Sequence, residues 1–237
     1  LDKIPSEGQR SHSLVLLKSI LKFAEVRKLA EVKRIDIAPT KSREVQSFYQ
    51  PAELALLDRA AADLISERPS LVLSMTAVRL LIATGARLSE VLTLQWSAVD
   101  LVHGVLALER DKSSVNRRDI LLSPAAVEII KALPRTSSPF VFPSDSKNGH
   151  LGALQKAWQL VVKRAGFRRL RLHDLRHSFA SAGIASGLSL FQIGALLGHR
   201  QATTTARYSH LQRETSRAAL DRISSAIAAP KATEPGK

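Results

Sequence analysis

The run His173-Asp174-Leu175-Arg176-His177 sets an imidazole and a guanidinium three residues apart, and on a helix that spacing puts both on one face. A second arginine, Arg87, lies in Thr84-Gly85-Ala86-Arg87-Leu88-Ser89-Glu90, at a bend after an apolar segment. His199 follows a glycine stop in Leu196-Leu197-Gly198-His199, and nine residues on Tyr208 stands in Ala206-Arg207-Tyr208-Ser209-His210. These residue types suit the cutting of a phosphodiester without a metal. The negative charge that spreads over the non-bridging oxygens needs fixed cationic donors, a nucleophile must attack in line, and an acid must protonate the leaving oxygen. Arginine suits the clamp because its fork gives two bonds to a phosphate and stays charged. His173 falls in the first turn of its helix, where backbone N–H groups also face anions. Taken singly, each residue has a plainer reading, since a lone Arg or His on a helix is usually solvated or bonded locally.

The chain has two tyrosines. Tyr49 suits a packed ring with a bonded hydroxyl. Tyr208 lies in a polar stretch after three threonines, with no local apolar stripe to bury it, and is expected to be free for chemistry. His173 and His177 also form an H-x-x-x-H pair that could grip zinc with His199 as third ligand. The usual Glu after the first His is absent, and Arg176 would set a cation beside the metal, so no metal site is expected. His177 reads instead as a local hydrogen-bonding residue that steadies its helix.

These groups need a scaffold. Apolar spacing predicts helices over 12–30, from Pro51 to about Ser66, over 70–83 and up to the stop at Gly85, and a short one capped by Ser89. The period then changes. Residues 99–109 alternate about a turn at His103-Gly104, and 117–122 reads as a third strand, with Asp111-Lys112-Ser113-Ser114 at the tip between them. Ser123-Pro124 opens a helix to about Leu133, and a Pro- and Ser-rich loop covers 134–149. Further helices are expected at about 151–165, from Leu172-His173 to near Gly187, from Ser189 to Gly198, and at about 213–228. The expected class is mainly α with a small three-stranded antiparallel sheet (α+β).

Bulk composition points the same way. With 35 Lys+Arg against 21 Asp+Glu the net charge is +14, a field that attracts polyanions, nucleic acid first among them. There is no cysteine, which excludes disulfides, thiolate zinc sites and a Cys nucleophile, and fits a cytosolic protein. No run of roughly 18 apolar residues is present to span a membrane, and no signal peptide is expected at the start. The sequence opens on Leu1, so a further N-terminal segment is expected before it.

The four boxes around Arg87, His173–Ser178, Leu196–His199 and Tyr208–His210, in that order and at those separations, resemble those of the tyrosine recombinase (phage integrase) family. The likeness runs from about residue 48 to 212. It implies that fold, and that Arg87 and Arg176 clamp the phosphate with His199 as a third donor. Tyr208 would attack the phosphorus, leaving a 3′-phosphotyrosyl link and a free 5′-hydroxyl. His173 would exchange the tyrosine proton, needed because an ordinary phenol has a pKa near 10. Glu90 would orient Arg87. The family's general acid is a lysine on the tip between the second and third strands, where Lys112 stands; no glycine flanks it here, and a solvated turn lysine is the alternative. Arg168, Arg169, Arg171 and Arg207 are expected to touch the DNA backbone.

The resemblance further implies residues 1–40 as the end of a core-binding domain with its linker, 41–228 as the catalytic domain, and 229–237 as a disordered tail. It implies double-stranded DNA as partner, a homo-tetramer on paired sites, accessory DNA-bending proteins, no cofactor, no membrane, and a cytoplasmic, nucleoid-associated location. A type IB topoisomerase-like enzyme and a non-catalytic DNA-binding remnant are the competing readings, with a zinc hydrolase behind them.

Overall fold

The structure is a computed structural model. It describes residues 7–29, 48–108, 118–168 and 170–199, together with 205, 208, 209, 216, 217, 220, 221, 223–225 and 227; side chains are described from residue 13. Lys112, Arg169 and Arg207, the linker, and the tail from 228 lie outside the described residues. The chain divides into two units, Leu1–Val45 and Gln46–Lys237.

In the first unit α1 spans Glu7–Val26, starting earlier than the apolar spacing alone indicates. Its Leu17, Ile20 and Phe23 are exposed.

The second unit is mainly helical with one small sheet, as expected. α2 (Pro51–Glu67) opens with Pro at its first turn, and the Glu53 carboxylate accepts the Gln50 backbone N–H at 2.7 Å. The expected helix over 70–83 is a 3-10 turn, Pro69–Leu71, followed by α3 (Val72–Thr84). Proline fits the tight first turn, and its missing N–H costs nothing there. α3 is apolar on most sides and sits at the centre of the core, with Met75, Val78 and Leu80 fully buried. α4 (Leu88–Leu92) follows directly.

The sheet has the order β1 (Val99–Asp100), β2 (Val105–Leu108), β3 (Arg118–Leu121), antiparallel throughout. Leu106 pairs with Ile120 and Leu108 with Arg118. Along β3 burial alternates, so Arg118 and Ile120 face inward and Asp119 and Leu121 outward. α5 (Pro124–Lys131) is capped by Ser123, whose hydroxyl accepts the Ala126 N–H. α6 (Gln155–Ala165) starts four residues later than expected. Its predicted first residues are not helical, because the Leu151 N–H bonds to the Phe142 carbonyl beside a bridge between Pro143 and His150.

α7 (Asp174–Ala185) and α8 (Leu190–Leu197) complete the framework, α8 capped by Ser189 and stopped by Gly198. Within the last stretch, the described residues between 216 and 227 are helical, with Leu220, Ile223 and Ile227 exposed. Two apolar clusters result. The large one joins α2, α3 and α6 through Leu57, Met75, Leu80 and Trp158. The small one joins α7 and α8 through Ala180, Ile184, Ile193 and Leu197, and it contains Tyr208.

Candidate active site

Arg87 is the N-cap residue of α4, at the bend after the left-handed Gly85. Glu90, one turn on, takes the Arg87 backbone N–H at 2.7 Å on one oxygen and Arg87 Nη1 at 2.8 Å on the other. The carboxylate thus fixes both the start of the helix and the direction of the guanidinium. The side chain of Arg87 remains 36% exposed, so its fork still has a face open to a ligand. Beside it opens a cleft of about 620 Å³, lined among others by Arg87, Glu90, Thr93, Gln95, Ser97 and Leu108.

A second guanidinium reaches the same carboxylate. Arg118 of β3 donates from Nη1 to Glu90 Oε1, and its side chain is only 5% exposed. From Nη2 it also reaches the Leu196 carbonyl at 3.4 Å, near the end of α8. Burial alone would push the Glu90 carboxyl upward, but the Arg87 N–H and the Arg118 guanidinium together hold it below the usual carboxylate range.

Arg176 is buried on α7 and is held by backbone oxygens rather than by a carboxylate. Its Nη1 donates to the Gly85 carbonyl at 2.9 Å and its Nη2 to the Leu197 carbonyl at 2.5 Å. Both acceptors end helices, where carbonyls lack an intrahelical partner and the dipole is negative. Burial, then repulsion from Arg87 and Arg118, pull its pKa down to about 10, while Glu90 and Tyr208 act in the opposite direction. It stays charged at neutral pH. Arg87 and Arg118 share one oxygen of Glu90, and Arg118 and Arg176 reach the adjacent carbonyls of Leu196 and Leu197, so three guanidiniums converge on one region, as an anion site requires.

The two glycines make that convergence sterically feasible. A Cβ on Gly85 would stand 2.8 Å from the Phe179 ring and 2.9 Å from Leu197, and one on Gly198 would overlap the Arg118 side chain. Both have positive φ, at 59° and 63°.

His199 lies just past α8. Its N–H bonds back to the Gly194 carbonyl at 2.9 Å, and its Nδ1 is 2.8 Å from Thr205 Oγ1. His173, the N-cap residue of α7, is exposed, and its ring meets the His177 ring edge-on with centroids 5.1 Å apart. Arg168 and Arg171 are exposed, and Asp174 holds the Arg171 fork through both carboxylate oxygens.

Two expectations are corrected. Tyr208 was expected to lie unburied in a polar stretch, yet it is 6% exposed. Its ring is covered by residues of α7 and α8 that are remote in sequence. His177 was expected to bond locally, yet its Nδ1 meets the Tyr208 hydroxyl at 2.5 Å across 31 positions. Arg118 was missed altogether. The signal was its position two before Ile120 on a strand, which turns it inward, and an inward arginine requires a carboxylate. Tyr49 is packed as expected: its hydroxyl donates to the Arg168 carbonyl and accepts the Leu170 N–H. Among the described residues no group of three or more His, Asp or Glu side chains could hold a metal ion.

Solved structures share this fold. The XerH site-specific recombinase bound to difH substrate in a pre-cleavage complex superposes with a TM-score of 0.66 at 18% identity, over 88% of this chain and 64% of that one. The catalytic domain of bacteriophage HP1 integrase superposes with a TM-score of 0.52 at 25% identity, over 74% of this chain and 94% of that one. In sequence, the chain is 31% identical over 226 residues to tyrosine recombinase XerD of Rhizobium meliloti (strain 1021), which covers 90% of this chain and 72% of the relative. Residues 51–215 match the model of the phage integrase family. The chain therefore belongs to the phage integrase family, the tyrosine-type site-specific recombinases.

Proposed function

We propose that this chain cuts and rejoins DNA at a specific site through a 3′-phosphotyrosyl intermediate on Tyr208, with neither metal nor nucleotide. The observation that supports this best is geometric: Arg87 and Arg118 meet on one oxygen of Glu90, Arg118 and Arg176 reach the adjacent carbonyls of Leu196 and Leu197, and the Tyr208 hydroxyl meets His177, the neighbour of Arg176 on α7. Such a cluster stabilises extra negative charge on a phosphorus in flight. Arg87 and Arg176 clamp the non-bridging oxygens and His199 adds a donor. Glu90 orients Arg87. Tyr208 attacks, and the 5′-hydroxyl leaves. Lys112 protonates that oxygen, and an imidazole of α7 exchanges the tyrosine proton, the role that the family pattern gives to His173. Because the ester to tyrosine keeps the energy of the broken bond, a second 5′-hydroxyl can displace it without ATP.

Around this site Arg168, Arg169, Arg171 and Arg207 contact the DNA backbone. Residues 1–40 serve as the end of a core-binding domain, 41–228 as the catalytic domain and 229–237 as a tail. The working assembly is a homo-tetramer on paired sites, with DNA-bending proteins as helpers, acting in the cytoplasm on nucleoid DNA.

The test is covalent trapping. A pool of nicked duplexes, randomised on both sides of the nick, is incubated with the protein in EDTA and run on a denaturing gel. A protein–DNA adduct that recovers a restricted set of sequences, and that is lost in Tyr208→Phe, is the expected result. Adducts without sequence preference favour a topoisomerase-like enzyme. DNA binding without any adduct favours a non-catalytic binder.

A further inference from the structure

The hydroxyl of Tyr208 is buried against one particular imidazole. His177 Nδ1 stands 2.5 Å from it, the two rings lie with centroids 6.0 Å apart, and both residues are more than nine-tenths buried. We propose that His177 is a catalytic residue, the base that takes the phenolic proton as Tyr208 attacks and returns it on rejoining. This rests on reading Tyr208 as the nucleophile.

The placement is built by the fold. His177 follows Arg176 on α7, so the clamp arginine and the histidine come from consecutive positions of one helix. The ring of Tyr208 is set by Ile184, Ile193 and Leu197, which leaves its hydroxyl facing α7. Thr205, also buried, accepts or donates at His199, and the Tyr208 N–H bonds to the Thr205 carbonyl at 3.0 Å. The segment that carries the nucleophile is thus tied at one end to the third donor and at the other to His177. His173, exposed at the start of α7, packs edge-on against the His177 ring.

The step balances as follows. The Tyr208 oxygen forms its bond to phosphorus while the bond from phosphorus to the 5′ oxygen breaks. The phenolic proton passes to His177 Nδ1, and the 5′ oxygen takes a different proton, from Lys112. In the reverse step the 5′-hydroxyl attacks the phosphotyrosyl link, and the imidazolium of His177 gives its proton back to the departing phenolate. A base within direct hydrogen-bond reach of the nucleophile's proton meets the geometric requirement for this role.

The test uses the full chain and a nicked duplex recovered from the randomised pool, and reads the single-turnover rate of adduct formation. Asparagine sets a polar atom close to the place of Nδ1 but does not take a proton, so His177→Asn is the main variant; His177→Gln is the second should the first fail to fold. The expected loss is on the order of a hundredfold or more, within the range for general-base removal, with duplex affinity unchanged. Replacing Tyr208 by a fluorinated tyrosine, whose phenol ionises more readily, recovers most of that loss, which a packing defect would not. A 5′-bridging phosphorothiolate, whose leaving sulfur needs no proton, leaves the defect in place. An unchanged rate in both variants overturns the proposal and leaves the nucleophile standing. So does recovery by fluorotyrosine in His173→Gln but not in the His177 variants. No adduct from the unaltered chain overturns the reading of Tyr208 and this proposal together.

Discussion

Arg118 and Glu90 form a buried ion pair between the third strand and the helix that starts at Arg87, and it ties the sheet to the phosphate clamp. Glu90 meets Arg87 with the same oxygen that it offers to Arg118. Arg118 also packs against Gly198, the stop before His199. A single strand residue therefore supports two of the donors assigned to the clamp. Removing one partner of a buried pair costs about 3–5 kcal/mol because the other charge is left uncompensated. Arg118→Met is expected to lose about 3 kcal/mol in urea denaturation, and Arg118→Met with Glu90→Gln to lose less than the single change. A double variant no more stable than the sum of its parts would show that the pair is not coupled.

Glu90 also sets a pH dependence. Its carboxyl is held below the ordinary range in the fold, so between the folded and unfolded values the unfolded chain binds more protons. The stabilisation is complete above an unfolded pKa of roughly 4.3 and is lost as the pH falls through the folded value. Thermal unfolding of the unaltered chain and of Glu90→Gln, followed from neutral to acid pH, should show a gap that closes below that point. A gap that widens on acidification would contradict the assignment.

Arg176 holds a charge that the fold itself disfavours. Its pKa of about 10 comes from burial and from the nearby Arg87 and Arg118. A bound phosphate relieves the repulsion, so a duplex should stabilise the chain markedly, by about 2.7 kcal/mol at a hundredfold excess over Kd. Arg87→Ala should reduce the duplex-induced rise in Tm, and raising salt should reduce affinity steeply, as phosphate contacts do. An equal rise in the variant would place the phosphate elsewhere.

Gly85 and Gly198 should tolerate no side chain. Each has positive φ, and a Cβ on either meets a fixed neighbour. Gly85→Ala and Gly198→Ala are each expected to lose more than the roughly 1 kcal/mol that alanine costs at a left-handed position alone. Gly187→Ala is the control: φ is 92° there and a Cβ meets nothing. If all three lose equally, the close approach of Arg118 and Phe179 does not matter.

Much of this was legible in the sequence, and the exceptions have physical reasons. The helix stops at Gly85 and Gly198, the Ser189 cap and the change to period two at residue 99 are local signals, and each stands in the fold. What local signals do not carry is contact across the chain. The burial of Tyr208 depends on α7 and α8 meeting, and no nearby apolar stripe announces it. The partner of His177 lies 31 residues away. Arg118 is the second of two consecutive arginines in the sequence, and only its alternation with Ile120 marks it as facing inward. The helix expected to start at 151 began later because a bridge near His150 claimed its first residues.

The most direct measurement of the central claim is the chemistry of the trapped bond. The adduct is digested with protease and nuclease, and the peptide that carries nucleotide is sequenced by mass spectrometry. The expected result is a nucleotide joined by its 3′-phosphate to Tyr208, formed equally well in EDTA. A link at another residue, a 5′-phosphate link, or an adduct that requires added metal would contradict the account.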